Sequence, residues 1–314
     1  MSNSKEQYVH YHNSLTEINR CAREEPQSFA QASEQAYQAE LRRIAEQAAR
    51  ETGDCRIVLL AGPSASGKTT TASLLSACLE QAGVSSFVFS LDNFYLPEEQ
   101  SPRHPDGVPD FESVHALDIE QIRSCLLSLI RTRSCRMPVF DFETHRPLPE
   151  KQAVELPAHS LVIMEGLHAL NPLLSEGLPK EYLLHAYLSV KQGIEQGGEI
   201  LLSPNDMRLV RRLVRDARFR ACSAERTLGM WPSVMQGEYR YIKPFREEAD
   251  ITINTFLGYE ICVLRDEARK LLESVRPGSP YFAEASRVAA ALEHVTPLPH
   301  ALVPPDSILH EFLG

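Results

Sequence analysis

Ile57-Val58-Leu59-Leu60-Ala61-Gly62-Pro63-Ser64-Ala65-Ser66-Gly67-Lys68-Thr69-Thr70 is the stretch that decides the fold. Its compact apolar start reads as a buried strand, and Leu74, Leu75 and Leu79 beyond it mark a helix. Between them lies a glycine-bounded loop, with Gly62 and Gly67-Lys68-Thr69 at phosphate-loop spacing. The chemistry needs this layout. Glycines let backbone N–H groups close around phosphate oxygens, and the helix N-terminus adds its positive dipole end. The cradle would be Gly62, Ser64, Ala65, Ser66, Gly67, Lys68, Thr69 and Thr70. Lys68 would reach the β/γ-phosphates, and the Thr69 hydroxyl would sit on Mg²⁺. The stretch therefore predicts binding of a nucleoside triphosphate with its magnesium ion.

Composition narrows the rest. The chain has 314 residues and is 43% hydrophobic, enough for one large domain or one domain with additions. A formal net charge of −10 and a pI of about 5.6 disfavour general nucleic-acid binding. Seven cysteines, an odd count without CxxC spacing, argue against a disulfide framework or a zinc module. Cys55 and Cys262 sit in apolar stretches and read as small core residues. No apolar run approaches the roughly 18 residues of a membrane span, and Met1 to His12 is polar rather than signal-like. A soluble, cytoplasmic protein with no membrane partner is expected. Oligomeric state is left open.

The chain in order gives the other pieces. Residues 1–28 show no strong period and are expected to be a loosely attached extension. Gln31 to Thr52 is rich in helix formers, with Tyr37, Leu41, Ile44 and Ala48 as an apolar stripe. Ser86 to Leu91 reads as a strand ending in Asp92-Asn93-Phe94-Tyr95. Ligands of open parallel sheets bind beyond the carboxyl ends of the strands, which places Asp92 well, although a turn aspartate fits equally. Residues 96–109 form a proline-rich connection of the kind used for lids and binding loops. Asp118 to Arg131 is an amphipathic helix, and residues 138–145 read as a strand with an exposed tip. Leu161 to Met164 is a buried strand whose end carries Glu165, where phosphate-loop enzymes hold Mg²⁺ or its waters. Strands are also expected over 183–190 and 249–254, and helices over 257–275, 281–294 and at the C-terminus.

Arg208, Arg211, Arg215 and Arg218 fall on one helical face, with Leu209, Leu213 and Val214 to one side. Three readings fit: a solvated face, a nucleic-acid stripe that the −10 charge opposes, or lid arginines that neutralise a transferring phosphoryl group.

Taken together and in order, these pieces resemble the uridine kinase/phosphoribulokinase family of phosphate-loop kinases. The resemblance includes Gly62 to Thr70, Ser90 to Tyr95, Asp110-Phe-Glu-Ser113, Phe140 to His145, Glu165-Gly-Leu-His168 and Arg208 to Arg220. It continues through Trp231-Pro-Ser-Val234 and Pro304 to Leu309, so that it covers the chain from about residue 31 to the end. It is strongest with a bacterial uridine/nucleoside kinase-like branch. Some members of that branch carry an N-terminal domain similar to threonyl-tRNA synthetase, for which the stretch before Gly53 is too short.

The resemblance implies roles. Asp92 matches the carboxylate that takes a proton from the substrate hydroxyl and helps order Mg²⁺, together with Thr69 and Glu165. Tyr95 and Glu112 match sugar-contacting positions, and Phe142 and His145 match positions that hold the nucleobase. Arg212, Arg215 and Arg220 match lid arginines that clamp ATP phosphates and substrate, with Arg215 and Lys68 counted beside Asp92 as catalytic. Three positions depart from the pattern: Glu112 replaces an aspartate, Phe140 a tyrosine, and Ala221-Cys222 a Gly-Arg pair.

The expectation is an α/β, P-loop NTPase-type fold with a mainly parallel, doubly wound sheet, a helical lid and C-terminal helices. Its division is an extension over 1–28 and a kinase domain over 29–314, with lids near 93–115 and 208–225 and a C-terminal helical part over 256–314. The expected activity is ATP-Mg²⁺-dependent phosphorylation of a small-molecule primary hydroxyl, with the 5′-OH of uridine or cytidine first. Rivals are a sugar, sugar acid or pantothenate-like acceptor, and a catalytically silent nucleotide-binding regulator.

Overall fold

A computed structural model describes residues 11–50, 55–105, 107–141, 144 and 146–314. The chain begins with β1 (Tyr11–Ser14), α1 (Leu15–Glu24) and α2 (Pro26–Arg50). Then come β2 (Cys55–Ala61), the phosphate-type loop, α3 (Lys68–Gln81), β3 (Ser86–Ser90) and α4 (Ile119–Thr132). Four short strands follow, β4 (Ser134–Met137), β5 (Phe140–Asp141), β6 (Arg146–Pro147) and β7 (Gln152–Glu155). Next are β8 (Ser160–Gly166), α5 (Pro172–Ser175), β9 (Leu183–Ser189), β10 (Gln192–Gln196) and β11 (Glu199–Leu202). The chain ends with α6 (Pro204–Phe219), α7 (Ala224–Tyr241), β12 (Ile251–Asn254), α8 (Glu260–Glu273), α9 (Phe282–Glu293) and α10 (His310–Leu313).

The main sheet is the doubly wound parallel sheet that the sequence predicts. Its order is β12-β9-β2-β8-β3, and every neighbouring pair is parallel. Because successive side chains of a strand alternate faces, each central strand feeds two cores. Val58 and Leu60 of β2 join Leu161 and Ile163 of β8 on the face covered by α2, α3, α6 and α8. Ile57, Leu59 and Ala61 join Val162 and Met164 on the face covered by α4. The strand that carries the loop is central, and the order reverses beside it, where open α/β sheets form their ligand crevice.

Three expectations change. Residues 11–24 are no loose extension: Leu15, Ile18 and Ala22 are buried in the main core, and β1 pairs in parallel with β10. Asn19 fastens α1 to the far end of the chain, donating to His294 O at 2.7 Å and accepting from Thr296 N at 2.7 Å. The second change concerns the arginine run, which belongs to a core helix rather than a free lid, since Met207, Leu209, Val210, Leu213 and Val214 are all buried. Ser203 and Asp206 close a capping box at its start. The third is that, among the described residues of the strand expected over 138–145, only β5 is strand, hairpinned to β6. The β4–β7 hairpin and the β1-β10-β11 sheet were invisible beforehand, because their short, polar strands lack a readable alternation.

With Leu15 buried in the main core, Leu15→Ala is expected to destabilise the whole domain by about 2–5 kcal/mol. A single cooperative denaturant transition with a lowered midpoint is the expected result; an unchanged midpoint would restore the loose extension.

Candidate functional site

Three strand ends meet at the carboxyl edge of the sheet. Glu165 lies between Leu60 of β2 and Ser90 of β3 in the ladder, and Ser90 Oγ donates to its Oε1 at 2.6 Å. Asp92 stands in the 3-10 turn Leu91–Phe94 that leaves β3, with Ser90 as its cap. Two glycines allow this closeness. A Cβ on Gly166 would lie 2.6 Å from Leu91 Cβ, and one on Gly62 would lie 2.6 Å from Leu188 O.

The loop itself is braced from behind. Arg208 Nε donates to Ser64 O at 3.0 Å, Arg211 Nη1 to Ala65 O at 3.4 Å, and Thr255 Oγ1 to Ser66 O at 2.8 Å. Lys68 Nζ donates to Pro63 O at 3.2 Å, and Arg212 Nη1 to Ser64 Oγ at 2.7 Å. Arg208 and Arg211 each have an acidic partner from another helix: Glu238 of α7 for Arg208 at 2.6 Å, and Glu260 of α8 for Arg211. Burial pushes the Glu260 carboxyl up, and Arg211 pulls it back. The Arg208 guanidinium also lies 5.4 Å from the Trp231 ring centre. Ala65 and Gly67 take positive φ values of 59° and 91°, the turning conformation that an anion-binding backbone nest requires.

The charges in the cleft are mutually dependent. Burial pulls the Lys68 ammonium below its ordinary pKa, while Glu165, Glu311 and Asp92 raise it. Asp92 is exposed to water, yet its carboxyl is crowded by protein atoms. That crowding pushes its carboxyl up, moderated by solvent, and Lys68, Arg220 and Arg215 oppose the rise. Glu165 is likewise raised, first by burial and then by Asp92. Two crowded carboxylates, each raised by burial and one of them further by the other, suit a divalent cation. No cluster of three or more acidic, histidine or cysteine ligands exists among the described residues. Mg²⁺ asks for less, since it takes one or two carboxylates and completes its shell with phosphate oxygens and water. Asp92 and Glu165, with the exposed Thr69 hydroxyl at the loop, fit that demand.

Asp216, fully buried, gathers Arg212, Arg215 and Arg220. Its carboxylate meets Arg215 at 2.9 Å, Arg212 at 3.2 Å and Arg220 at 3.6 Å. Its carbonyl accepts from Arg220 N and Cys222 N, which turns the chain at Ala221 with φ 48°. Arg218 is not part of the group; it binds Glu267 of α8 and the Leu313 carbonyl.

Tyr95 packs edge-on to Phe111 and tilts against Phe140, and its hydroxyl donates to Phe111 O at 3.4 Å. Glu112 packs on Gly237 of α7 so closely that a Cβ there would lie 2.7 Å from its own. Burial raises the Glu112 carboxyl, against the pull of Arg212 and Lys68. Phe142 and His145 lie outside the described residues. Sequence reasoning missed Asp216, Glu238, Glu260 and Thr255, whose only prior signal was polarity beside apolar runs. It also missed Glu311, whose Oε2 accepts from Thr70 N at 3.4 Å in the first turn of α3.

A model described as the phosphoribulokinase/uridine kinase family matches residues 57–259, the span from β2 to the start of α8. The chain belongs to the phosphoribulokinase/uridine kinase family. Among curated relatives, the uridine kinase of Schizosaccharomyces pombe is 32% identical over 167 residues, covering 52% of this chain and 32% of that protein. The uridine kinase of Ureaplasma urealyticum is 22% identical over 198 residues, covering 63% of this chain and 86% of that one. The match thus spans about a third of the length of the first relative and most of the second. Among solved structures, a putative fructose transport system kinase from Silicibacter sp. TM1040 is 19% identical with a TM-score of 0.52. That match covers 68% of this chain and 98% of the other, and the likeness is one of fold. The family is one of kinases of the phosphate-loop type, a class that uses ATP. Among the described residues, no helix is long and apolar enough to cross a membrane.

Glu311 offers a direct check on the loop, because a carboxylate held at a helix-start N–H repels an incoming phosphate while favouring the helix dipole. Glu311→Gln is expected to tighten ATP binding about three- to tenfold while lowering thermal stability slightly, within about 1 kcal/mol. Titration of ATP and a melting curve on the same variant read both signs, and weaker ATP binding would refute the competition.

Proposed function

We propose that the protein transfers the γ-phosphoryl group of ATP to a primary hydroxyl of a small molecule, with the 5′-OH of uridine or cytidine as first choice. The observation that carries this reading is the electrostatic grouping of Asp92 with Lys68, Arg215 and Arg220 at the sheet edge, beside Glu165. A nucleotide-binding regulator has no need of such a carboxylate. In the proposed reaction the backbone of residues 62–70 and Lys68 hold the β- and γ-phosphates. Asp92 accepts the acceptor's proton as its oxygen attacks in line, and Arg212, Arg215 and Arg220 neutralise charge on the phosphoryl oxygens. Mg²⁺, when bound by Thr69, Asp92 and Glu165, supplies charge neutralisation at the phosphates. Holding the reactants in line provides much of the rate.

Uridine is favoured because the relatives at 32% and 22% identity are uridine kinases. The reading assigns Tyr95 and Glu112 to the sugar, and Phe142 and His145 to the base. A second reading keeps the chemistry and changes the acceptor to a sugar, sugar acid or pantothenate-like alcohol. It draws support from Glu112, one methylene longer than the aspartate of the family pattern and pinned against Gly237.

Asp92→Asn is expected to leave ATP affinity within about twofold and to lower kcat by roughly 10²–10⁴. Unchanged turnover removes Asp92 from the role of base. ADP release measured over a panel of alcohols decides the acceptor: strong signal with a sugar and none with uridine or cytidine favours the second reading. ATP binding without any acceptor-dependent release indicates a regulator instead.

The pH profile gives an independent check. The base acts only when ionised, so activity is lost as pH falls through its pKa. Arg220 holds that pKa down against the crowding that raises it. Arg220→Gln therefore moves the acid limb of kcat/KM to higher pH, whatever it does to the plateau. A limb that stays in place separates Arg220 from the base.

A further inference from the structure

The outer face of α4 presents a stripe of four residues to solvent. Ile122, Cys125, Leu126 and Leu129 turn into the core, so the opposite side of the helix points away from the protein. At about 100° of turn per residue, Glu120, Ser124, Leu127 and Arg131 all fall on that opposite side. Glu120, Ser124 and Arg131 are exposed, and Leu127 is half-buried. The Glu120 side chain keeps 87% of its surface open to water. A shallow groove of about 500 Å³ runs along the stripe, with Ser124, Leu127, Ser128 and Arg131 in its wall. A second, of about 440 Å³, continues it past Ile119 and the exposed Leu173. Arg123, beside the stripe, is held within the chain, donating to Leu173 O at 2.7 Å and pairing with Glu176.

The spacing of the stripe decides what fits it. Its residues are four, three and four positions apart, the alternation of a helix-packing seam. Four-three-four reads the same in both directions. A second α4 turned end for end about a two-fold axis therefore sets its Arg131 opposite Glu120 and its Leu127 opposite Ser124, and each contact occurs twice. Acid meets base and a large side chain meets a small one. Parallel alignment instead sets Glu120 on Glu120 and Arg131 on Arg131, which repel. The flanks extend the match, since Glu176 lies in the groove at the acidic end and Arg133 is exposed just past the basic end. The helix has 14 residues. At about 1.5 Å of rise per residue, a pair of such helices covers less than a standard interface of about 1,600 Å², so the association is reversible.

We propose that the outer face of α4 is an interface between two copies of this chain, packed antiparallel about a two-fold axis between Ser124 and Leu127, with Glu120 of each copy paired to Arg131 of the other. The inference is independent of the kinase reading, and none of the four residues belongs to the candidate site.

Sedimentation of the full chain over about 1–100 μM, in about 50 mM and about 500 mM NaCl, reads the association, with melting temperatures measured in parallel. The wild type is expected to pass from monomer to dimer as concentration rises, more readily at low salt. Glu120→Arg and Arg131→Glu each set like charges together at both ends of the pair and weaken association about tenfold or more. The double variant Glu120→Arg/Arg131→Glu exchanges the signs and restores association to within about threefold of wild type. An acid in the first turn and a base in the last also suit the helix's own dipole. That role alone makes the double variant the least stable of the three in melting temperature and gives no recovery of the dimer, so a double variant that fails to recover overturns the proposal. A wild type that stays monomeric at the highest concentration and low salt overturns it too, as does a dimer that neither single change weakens. Should a single charge change unfold the chain, Ser124→Arg at its exposed position places bulk at the axis; a dimer that survives it lies on another face and refutes the interface.

Discussion

The structure depends on how the carbonyls of residues 63–66 are held. A peptide plane that commits its oxygen to one side presents the following N–H on the other. Arg208, Arg211, Thr255 and Lys68 take the oxygens of Ser64, Ala65, Ser66 and Pro63. The loop therefore does not need an anion to keep its shape. Its support costs the burial of two guanidinium groups, offset by Glu238 and Glu260. Buried ion pairs seldom add much net stability, but losing one partner is severe, so they enforce one arrangement of α6, α7 and α8 around the loop.

That requirement explains why the arginine run is in the core. The sequence offered a solvated face, a nucleic-acid stripe or a lid, and the helix divides its arginines among other tasks. Arg208 and Arg211 brace the loop, Arg212, Arg215 and Arg220 converge on Asp216, and Arg218 ties α6 to α8 and the C-terminus. The N- and C-terminal segments, which lie outside the family match over 57–259, serve the same end. Tyr37 of α2 hydrogen-bonds Thr71 of α3 at 2.6 Å, Ile308 packs near Gly67, and Glu311 reaches Thr70.

The cleft is divided by charge. Arg212, Arg215 and Arg220 are pre-paired to the buried Asp216, so that under the proposed reaction they exchange partners with phosphate oxygens without a large reorganisation. Asp92, Asp110 and Glu112 supply carboxylates instead. Catalysis that works by positioning and electrostatics asks for this kind of standing asymmetry.

The sequence by itself determined the phosphate loop, the parallel strands with Asp92 and Glu165 at their ends, and most of the helices. It could do so because these depend on local geometry: a glycine where no Cβ fits, an apolar run where both faces are buried, a periodic stripe. The short polar strands, the packed N-terminal helix and the partners of the arginines were decided only in three dimensions. Glu260 is 49 positions from Arg211, and Glu238 is 30 from Arg208. His168 was legible as part of Glu165-Gly-Leu-His168 but not as an unpaired buried ring, because burial and the absence of a partner are properties of the whole packing around it.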